Sequence, residues 1–338
     1  MQKVLNKLIK QETLSEDQAF QLLVGIAEDQ YDPYEVTGII VALQTRILTL
    51  EELAGFRSAL LSLAEKPAID GTNAIDLCGT GGDGKNTFNI STTTALVLAG
   101  MGYKVIKHGN YGVSSLCGSS NVLEALGYEF TKDEAVLNDS LAKHNICFLH
   151  APLFHPAMKK VAPIRKALGI PTFFNIMGPL VNPVQPDFQL TGTFNLAIAR
   201  MYSHLLNQHR KNYKVVYAMD GYDEISLTGD TRIFGKHIDQ VVNASHINEE
   251  QISPDTIKGG DTTIASANII TSILKGEGTK SQNTVIACNT AHALQLFHPE
   301  KEVTKLYVEV YDYLKSGEGI LHFNQLIASS KINSPNLS

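Results

Sequence analysis

The sequence predicts an α/β protein in which a small all-helical domain precedes a larger domain with a mainly parallel sheet flanked by helices. Two sequence patterns along the chain support this prediction. Residues 1–66 place apolar side chains at helical spacing, with polar breaks such as Asp32-Pro33 between the segments. From residue 74 onward, short apolar segments alternate with glycine-rich turns and apolar helices, which is typical of a parallel sheet covered by helices.

The short apolar segments define the expected strands. Four are predicted in the larger domain, at residues 74–78, 103–106, 146–149 and 214–219. The stretch 163–189 carries five prolines and interrupts the alternation, so we expect irregular chain there, part of which crosses back to complete the helical domain. The domain boundaries are accordingly expected at 1–66 and 74–328, with a frayed tail at 329–338.

Composition narrows the classes of function. The chain has 338 residues, 43% of them apolar, and a formal charge of −6, which argues against a protein that binds nucleic acid through a broad basic face. No apolar run approaches the roughly 20 residues needed to cross a bilayer. The four cysteines are scattered without a Cys-x-x-Cys pair, so neither disulfides nor a zinc site is indicated, and a cytoplasmic protein is expected.

A glycine-rich segment follows the first predicted strand. It runs Gly79-Thr80-Gly81-Gly82-Asp83-Gly84 and leads through residues 85–89 to hydroxyl residues and an apolar helix. Glycines let backbone amides approach an anion, and the start of a helix adds unpaired amides and the positive end of its dipole. A tight turn alone would not need hydroxyl residues at the helix start. The segment therefore predicts a phosphate-binding loop.

Two better-known phosphate motifs match this loop only in part. A dinucleotide-binding fingerprint needs a helix directly after the glycines and an acidic residue near the end of the next strand, whereas here the helix is delayed and the strand ends in Lys107. A P-loop needs Ser or Thr after its lysine to hold magnesium, and here Asn86 follows Lys85. Neither dinucleotide binding nor nucleotide hydrolysis is favoured.

Two further clusters follow predicted strands. Residues 107–110, Lys-His-Gly-Asn, end the second strand, and Ser119 lies at the start of the helix that follows, where it would both cap the helix and face a phosphate. After the fourth predicted strand come Asp223 and Glu224, adjacent carboxylates that repel each other unless they are solvated or share a cation. Magnesium with a pyrophosphate substrate would supply that cation.

Arg165 lies in a basic helix closed by Gly169. Such an arginine is usually a surface charge, but its planar guanidinium can also bind a carboxylate with two parallel hydrogen bonds. It is therefore a candidate for recognising an acidic acceptor.

Together these motifs resemble the anthranilate phosphoribosyltransferase family over nearly the whole chain. The segments that carry the resemblance are D-L-C-G-T-G-G-D at 76–83, N-I-S-T at 89–92, K-H-G-N at 107–110, G-S-S-N-V-L-E-A-L-G at 118–127, H-P-A-M-K at 155–159, F-N-I-M-G-P-L-V-N-P at 174–183 and D-E at 223–224. The resemblance implies a fold of the nucleoside phosphorylase and phosphoribosyltransferase type. It also implies a homodimer formed through the helical domains and a part in tryptophan biosynthesis.

The resemblance also assigns substrates and residues. Phosphoribosyl pyrophosphate would contact Gly79, Gly82, Asp83, Thr87, Asn89, Ile90, Ser91, Thr92, Lys107, His108, Gly109, Asn110, Ser115 and Ser119. Anthranilate would contact Gly79, Asn110 and Arg165, and Mg²⁺ would contact Ser91, Asp223 and Glu224. The anthranilate amine would displace pyrophosphate at the anomeric carbon. His108 is a candidate general base with an equal case for a binding role, and association with a separate anthranilate synthase subunit is left open.

Two positions depart from the family pattern. Tyr111 stands where family members commonly have Arg, and Pro171-Thr172 stands where an Arg-Thr pair is common. Two other functions remain as alternatives. A pyrimidine nucleoside phosphorylase shares the expected fold but pairs its glycines with a Thr-x-Asp-Lys run and lacks K-H-G-N. A non-catalytic relative that binds nucleic acid should be basic and should lose Arg165 or the acidic pair, whereas this acidic chain keeps both.

Overall fold

The computed structural model describes residues 2–112, 117–209, 212–247 and 251–332. The chain opens with four helices, which are α1 (Gln2–Ile9), α2 (Glu16–Ala27), α3 (Pro33–Gln44) and α4 (Leu50–Ser62). Ser15, Asp32 and Thr49 each form a capping box at the start of the helix that follows them. Because these caps satisfy backbone N–H groups that the helix cannot, they fix where α2, α3 and α4 begin.

The α/β part contains one sheet of seven strands within the described residues. The strands are β1 (Ala74–Gly79), β2 (Lys104–Gly109), β3 (Ile146–His150), β4 (Phe188–Gly192), β5 (Asn212–Ala218), β6 (Thr231–Gly235) and β7 (Ile238–Val242). Their order is β3-β2-β1-β4-β5-β6-β7, with the first five parallel and the last two antiparallel. The predicted mainly parallel sheet is confirmed, and all four predicted strands are present.

Three strands were not predicted. Strand β4 begins inside the stretch 163–189, where irregular chain was expected, and it is buried between β1 and β5. The prolines of that stretch end before it, at Pro186, so they do not prevent pairing. β6 and β7 form an edge hairpin with polar residues on β7, a pattern that is weak in sequence.

Helices cover both faces of the sheet. They are α5 (Ile90–Gly100), α6 (Ser119–Ala125), α7 (Glu134–His144), α8 (Ala151–Phe154), α9 (Met158–Leu168), α10 (Leu196–His209), α11 (Ala244–Ile247), α12 (Thr263–Leu274), α13 (Lys280–Phe297), α14 (Val303–Ser316) and α15 (Gly319–Ile332). Helices α5 and α13 pack against each other, and their residues Leu96, Val97 and Ile286 are buried with Ile75 and Leu77 of β1. This burial holds the start of α5 at the end of β1.

The first residues of the tail expected at 329–338 belong to the last helix, and residues 333–338 lie outside the described part of the chain. Helix α15 continues to Ile332, because it packs on α5 and α7, and the hydroxyl of Ser329 lies 2.7 Å from Nε2 of His144. No helix of the described ranges is both long and apolar enough to cross a membrane.

The stretch 163–189 packs against the first four helices. The Phe173 ring stacks on the Phe56 ring of α4 with centroids 4.6 Å apart, and Arg57 Nε donates to the carbonyl of Leu180 at 3.1 Å. Two short 3₁₀ turns, Phe173–Ile176 and Gly178–Leu180, supply most of these contacts. The chain thus returns to the helices between α9 and β4.

The strand order reverses at β1. The chain runs outward from β1 through β2 to β3, and then re-enters the sheet as β4 on the other side of β1. In parallel sheets, a crevice forms beyond the carboxyl ends of the strands at such a reversal, and ligands bind there. The loops that follow β1, β2 and β5 converge on this crevice.

Candidate active site at the carboxyl ends of the strands

The glycine-rich loop after β1 needs glycine for backbone shape and for close approach. Gly81, Gly82 and Gly84 have φ of 63°, 76° and 70°, in the left-handed region that side chains disfavour. Gly79 has a different reason, because a Cβ there would lie 2.3 Å from Asp223 Oδ2. The backbone of the loop therefore lies in close contact with the turn that follows β5.

The acidic pair is joined directly to this loop. Asp223 Oδ2 accepts a hydrogen bond of 2.6 Å from the backbone N–H of Gly81. Glu224 Oε1 accepts from the backbone N–H of Ser91 at 3.2 Å, and its Oε2 accepts from Thr87 Oγ1 at 3.3 Å. Ser91 lies in the first turn of α5, so Glu224 occupies the positive end of that helix. The structure brings these predicted residues together.

The electrostatics of this cluster favour a cation. Burial, and then the nearby carboxylate of Asp83, raise the pKa of Asp223 to about 7. Burial, followed by the charges of Asp223 and Asp83, raises the pKa of Glu224 well above its ordinary value. A bound cation would reverse both shifts. Within the described ranges, however, no group of three or more His, Cys, Asp or Glu side chains could hold a metal unaided.

Lys107 supplies a buried positive charge at the end of β2. Its side chain is 2% exposed, and Nζ donates to the carbonyl of Leu77 and to Ser91 Oγ, the latter at 3.5 Å. Ser91 therefore stands between Lys107 and Glu224. An anion above Ser91 would meet a lysine on one side and a carboxylate-bound cation on the other.

The loop after β2 meets the same crevice. Ser119 Oγ donates to the carbonyl of Asn110 at 3.2 Å, and a Cβ on Gly109 would lie only 2.6 Å from that hydroxyl. Asn89 Nδ2 donates to the carbonyl of Cys117 at 3.1 Å, which ties the first loop to the second. Ser115, also predicted to bind substrate, lies outside the described residues.

The remaining predicted residues of the first loop differ in how exposed they are and in which atoms a ligand could reach. Gly82 is exposed, and Asp83 Oδ1 accepts from the backbone N–H of Lys85 at 3.1 Å. The side chains of Ile90 and Thr92 are buried. Ile90 packs in the core of the sheet, so only its backbone is available to a ligand.

His108 faces away from the glycine-rich loop. Its backbone N–H donates to Asp76 Oδ1 at 3.1 Å, and its ring Nδ1 lies 3.1 Å from the carbonyl of Gly178. Because a carbonyl only accepts, Nδ1 carries the proton and Nε2 is left with a lone pair. Burial lowers the pKa of His108 to about 4, so the ring is neutral at neutral pH.

Arg165 stands apart from the glycine-rich loop and from Lys107. Its Nη2 donates to Asn175 Oδ1 at 3.3 Å, and the guanidinium lies over the Phe174 ring, 5.5 Å from the centroid. Among the contacts of the described ranges, none joins Arg165 to the glycine-rich loop. The link is indirect, because the 3₁₀ turns that follow Phe174 carry Gly178, whose carbonyl contacts His108.

The structure places both departures from the family pattern. Tyr111 Oη donates to Glu124 Oε1 at 2.6 Å, and its ring packs edge-on against His150 with centroids 4.7 Å apart. Pro171 directly precedes Thr172, the N-cap residue of the 3₁₀ turn Phe173–Ile176, and the Thr172 backbone N–H donates to Asn175 Oδ1 at 2.9 Å.

One positioning residue was missed by sequence reasoning. Asn289 of α13 binds the backbone of Ile225 twice, with Oδ1 accepting from its N–H at 3.2 Å and Nδ2 donating to its carbonyl at 2.8 Å. This pair of bonds fixes the residue directly after Glu224. The sequence around Asn289 is an ordinary buried helix, and no local pattern marks the residue.

Comparison with known proteins identifies the class first. Residues 71–320 match the family described as "Glycosyl transferase family, a/b domain", and residues 2–64 match "Glycosyl transferase family, helical bundle domain". The fold and the phosphate-type loops thus define a glycosyltransferase. Anthranilate phosphoribosyltransferase of Christiangramia forsetii is 46% identical over 326 residues, covering 96% of this chain and 98% of the relative. The chain belongs to the anthranilate phosphoribosyltransferase family.

Solved structures agree with this assignment. Anthranilate phosphoribosyltransferase from Thermus thermophilus superimposes with a TM-score of 0.87 at 29% identity, covering 97% of this chain and 99% of that one. The enzyme from Saccharomyces cerevisiae, solved in complex with PRPP and Mg, has a TM-score of 0.89 at 25% identity and 98% coverage of both chains.

Proposed function

We propose that this protein transfers the phosphoribosyl group of phosphoribosyl pyrophosphate to the amine of anthranilate, giving N-(5-phosphoribosyl)anthranilate and pyrophosphate in tryptophan biosynthesis. The observation that carries the proposal is the joining of Glu224, Ser91 and Lys107 at the start of α5. This array places paired acidic groups, a helix N-terminus and a buried lysine around one point. A pyrophosphate with its metal needs that combination of charges.

The donor would lie across the first two loops. The residues that would bind it are Gly79, Gly82, Asp83, Thr87, Asn89, Ile90, Ser91, Thr92, Lys107, His108, Gly109, Asn110, Ser115 and Ser119. Backbone amides of the glycine-rich loop and the lysine at the end of β2 would face the pyrophosphate, where negative charge grows as the bond to the anomeric carbon breaks. Serines at the helix starts would complete the phosphate contacts.

Asp223, Glu224 and Ser91 fit a magnesium ion. All three offer oxygen, the ligand type that Mg²⁺ prefers, and burial, followed by the neighbouring carboxylates, raises the pKa of both Asp223 and Glu224. Mg²⁺ commonly binds through one or two carboxylates and takes its other ligands from substrate phosphates and water, which suits a site without a third protein ligand. When bound, it would neutralise charge on the leaving pyrophosphate.

The acceptor would lie between the second loop and α9. Arg165 would bind the anthranilate carboxylate, with Asn110 and the backbone of Gly79 holding the ring and amine near the anomeric carbon. His108 is neutral, and its Nε2 is buried with a lone pair that has no hydrogen-bond partner in the described structure. Its low pKa makes it a weak general base, and positioning accounts better for its place.

The decisive assay follows loss of anthranilate fluorescence in the presence of phosphoribosyl pyrophosphate and Mg²⁺. The protein should consume anthranilate only when both phosphoribosyl pyrophosphate and Mg²⁺ are present. It should not cleave thymidine with phosphate, which is the reaction expected of a pyrimidine nucleoside phosphorylase. Replacing Asp223 and Glu224 together with alanine should remove activity or greatly raise the Mg²⁺ requirement. No consumption across a wide range of Mg²⁺ and substrate would refute the assignment, and unchanged Mg²⁺ dependence in the double variant would refute the metal role alone.

We further propose a homodimer formed through the first four helices. Tyr34 and Val41 lie seven residues apart on one face of α3, and they are 89% and 40% exposed. Ile9 at the end of α1 and Ile47 before α4 are 63% and 62% exposed. Apolar side chains gathered in this way favour a protein interface. Changing Tyr34 and Val41 to glutamate should give a monomer by light scattering, whereas Leu321→Glu, at a leucine of α15 that is 65% exposed, should not. A monomeric wild-type protein would refute this proposal.

The domain division and the cellular location also remain proposals. The contacts of Phe173 and Leu180 with α4 support a helical domain of residues 1–66 completed by part of 163–189, beside an α/β domain of 74–328. The four cysteines are free thiols, which supports a reducing cytoplasm. Association with an anthranilate synthase subunit would be tested by co-purification of the two proteins.

A further inference from the structure

Lys85 is a charged side chain of the glycine-rich loop that the assigned donor site leaves unused. It lies between Gly84 and Asn86, both of which have positive φ, and its side chain is half-buried. Among the ion pairs of the described ranges, none includes Lys85. Its ammonium instead lies over the ring of Tyr222, with Nζ 4.8 Å from the centroid.

This placement puts a cation beside the acidic cluster without neutralising it. Tyr222 directly precedes Asp223, and the backbone N–H of Lys85 donates to Asp83 Oδ1 at 3.1 Å. An ion pair with a carboxylate would stabilise a flexible lysine more than contact with an aromatic ring does. The position of the Lys85 ammonium over the Tyr222 ring therefore leaves its charge available to a ligand. The Tyr222 ring is 4% exposed and fixed in the core, so it holds the ammonium at the rim of the crevice.

The charges in the crevice indicate that a bound pyrophosphate would need a further positive charge. Three carboxylates, those of Asp83, Asp223 and Glu224, interact there, while the buried Lys107 already donates to Leu77 and Ser91. A magnesium ion would offset the carboxylates but would leave the pyrophosphate with excess negative charge. A second lysine at the rim would balance that excess.

We infer that Lys85 binds the pyrophosphate of the donor substrate, and that the Tyr222 ring holds its ammonium beside the site before the donor arrives. This inference rests on the proposed function for the identity of the donor. Lys85 contributes charge to donor binding and none to the anthranilate pocket, because Arg165 is joined to a different part of the molecule. Its role is therefore separable from acceptor binding.

A neighbouring lysine provides a matched control. Residue 258 pairs with Thr87 in an antiparallel bridge, so its backbone lies against the same loop. The Lys258 ammonium, however, is already 2.6 Å from Asp255 Oδ1, and its side chain is 62% exposed. Lys258→Met removes the same charge from the same region without removing an unpaired cation.

The test measures binding of inorganic pyrophosphate with Mg²⁺ by calorimetry, in the full-length protein. Lys85→Met should weaken binding by about tenfold or more, Lys85→Arg should stay within about threefold, and Lys258→Met should match the wild type. The salt dependence of binding should also fall in Lys85→Met, since a charged contact is lost. A merely structural role would not produce that change.

Steady-state kinetics separate this inference from the proposed function. Lys85→Met should raise KM for phosphoribosyl pyrophosphate and leave KM for anthranilate unchanged. If the wild type transfers phosphoribosyl and a folded Lys85→Met variant binds pyrophosphate as tightly as the wild type does, the inferred role of Lys85 is wrong while the proposed function stands. If pyrophosphate binding depends on Lys85 but no transfer occurs, the function fails and the inference stands. Should Lys85→Met not fold, Lys85→Gln replaces it under the same criteria.

Discussion

The backbone N–H of Gly81 donates a hydrogen bond of 2.6 Å to the carboxylate of Asp223, across 142 residues of chain. This bond joins the loop after β1 to the turn after β5. The two segments would supply, respectively, the amides for a pyrophosphate and the carboxylates for its metal. Their junction therefore sets the distance between anion and cation in the proposed site.

Gly79→Ala should disrupt this junction. A Cβ at residue 79 would lie 2.3 Å from Asp223 Oδ2, so either the carboxylate or the loop must move. Displacements near 1 Å at a reacting centre commonly cost about 100-fold in rate, and we expect kcat/KM to fall by about that factor.

The matched control for that change is Gly38→Ala in α3. A Cβ there meets only the Leu5 methyl groups at 3.7 and 3.8 Å, ordinary contacts, and alanine favours a helix. Kinetics of the two variants at saturating Mg²⁺ would check the prediction. Wild-type kcat/KM in Gly79→Ala would show that the close approach is not needed.

Asn289→Ala should raise the Mg²⁺ concentration needed for half-maximal activity. Its amide holds both the N–H and the carbonyl of Ile225, and without it the turn that carries Glu224 is free to shift. Loss of a residue that positions a metal ligand typically weakens metal affinity by about 10- to 100-fold.

Asn283→Ala on the same helix is the control, because Asn283 Nδ2 donates to the carbonyl of Gly278, far along the chain from the acidic pair. Both variants should lose thermal stability. Only Asn289→Ala should change the Mg²⁺ titration, and equal titrations would argue against a positioning role.

Arg165→Lys should weaken anthranilate binding selectively. Lysine keeps the charge but loses the planar pair of donors, so KM for anthranilate should rise by about tenfold or more while KM for phosphoribosyl pyrophosphate stays unchanged. Arg200→Lys, at an exposed site on α10, controls for the substitution itself. Equal effects on both KM values would place Arg165 in a general structural role.

The sequence predicts the position of features that lie within short segments. The glycine-rich loop follows a buried strand and precedes a helix, so its place at the sheet edge follows from order alone, and the structure joins it to Asp223 and Glu224. The contribution of Asn289 could not be predicted in this way. Its two bonds depend on the packing of α13, 64 residues further along the chain, against the turn after β5.

Two other features needed the three-dimensional arrangement. Strand β4 is short and follows a proline-rich stretch, so its pattern was obscured until its pairing with β1 and β5 was seen. The neutral state of His108 depends on burial and on the carbonyl of Gly178, 70 residues away in the chain. Neither long-range contact leaves a local mark in the sequence.

The free energy of unfolding should rise with pH between about 7 and 10.5 because of Lys214 on β5. Its Nζ is buried and donates to the carbonyl of His292 at 2.9 Å and to Gln295 Oε1 at 2.7 Å, with no carboxylate among these partners. Burial lowers the pKa of Lys214 from 10.5 to about 7. Between these values the unfolded chain binds more protons than the folded chain, so raising the pH favours folding, and below about 7 the effect is constant.

Urea unfolding at several pH values from 7 to 10 would measure this slope. Replacing Lys214 with methionine should reduce it by up to about 1.4 kcal/mol per pH unit, because one titrating group is removed. Lys305→Met, whose side chain is 74% exposed, should leave the slope unchanged. Because the comparison uses slopes, it tolerates any constant loss of stability from the hydrogen bonds that Lys214→Met removes. Parallel curves for the wild type and Lys214→Met would mean that Lys214 keeps its ordinary pKa despite its burial.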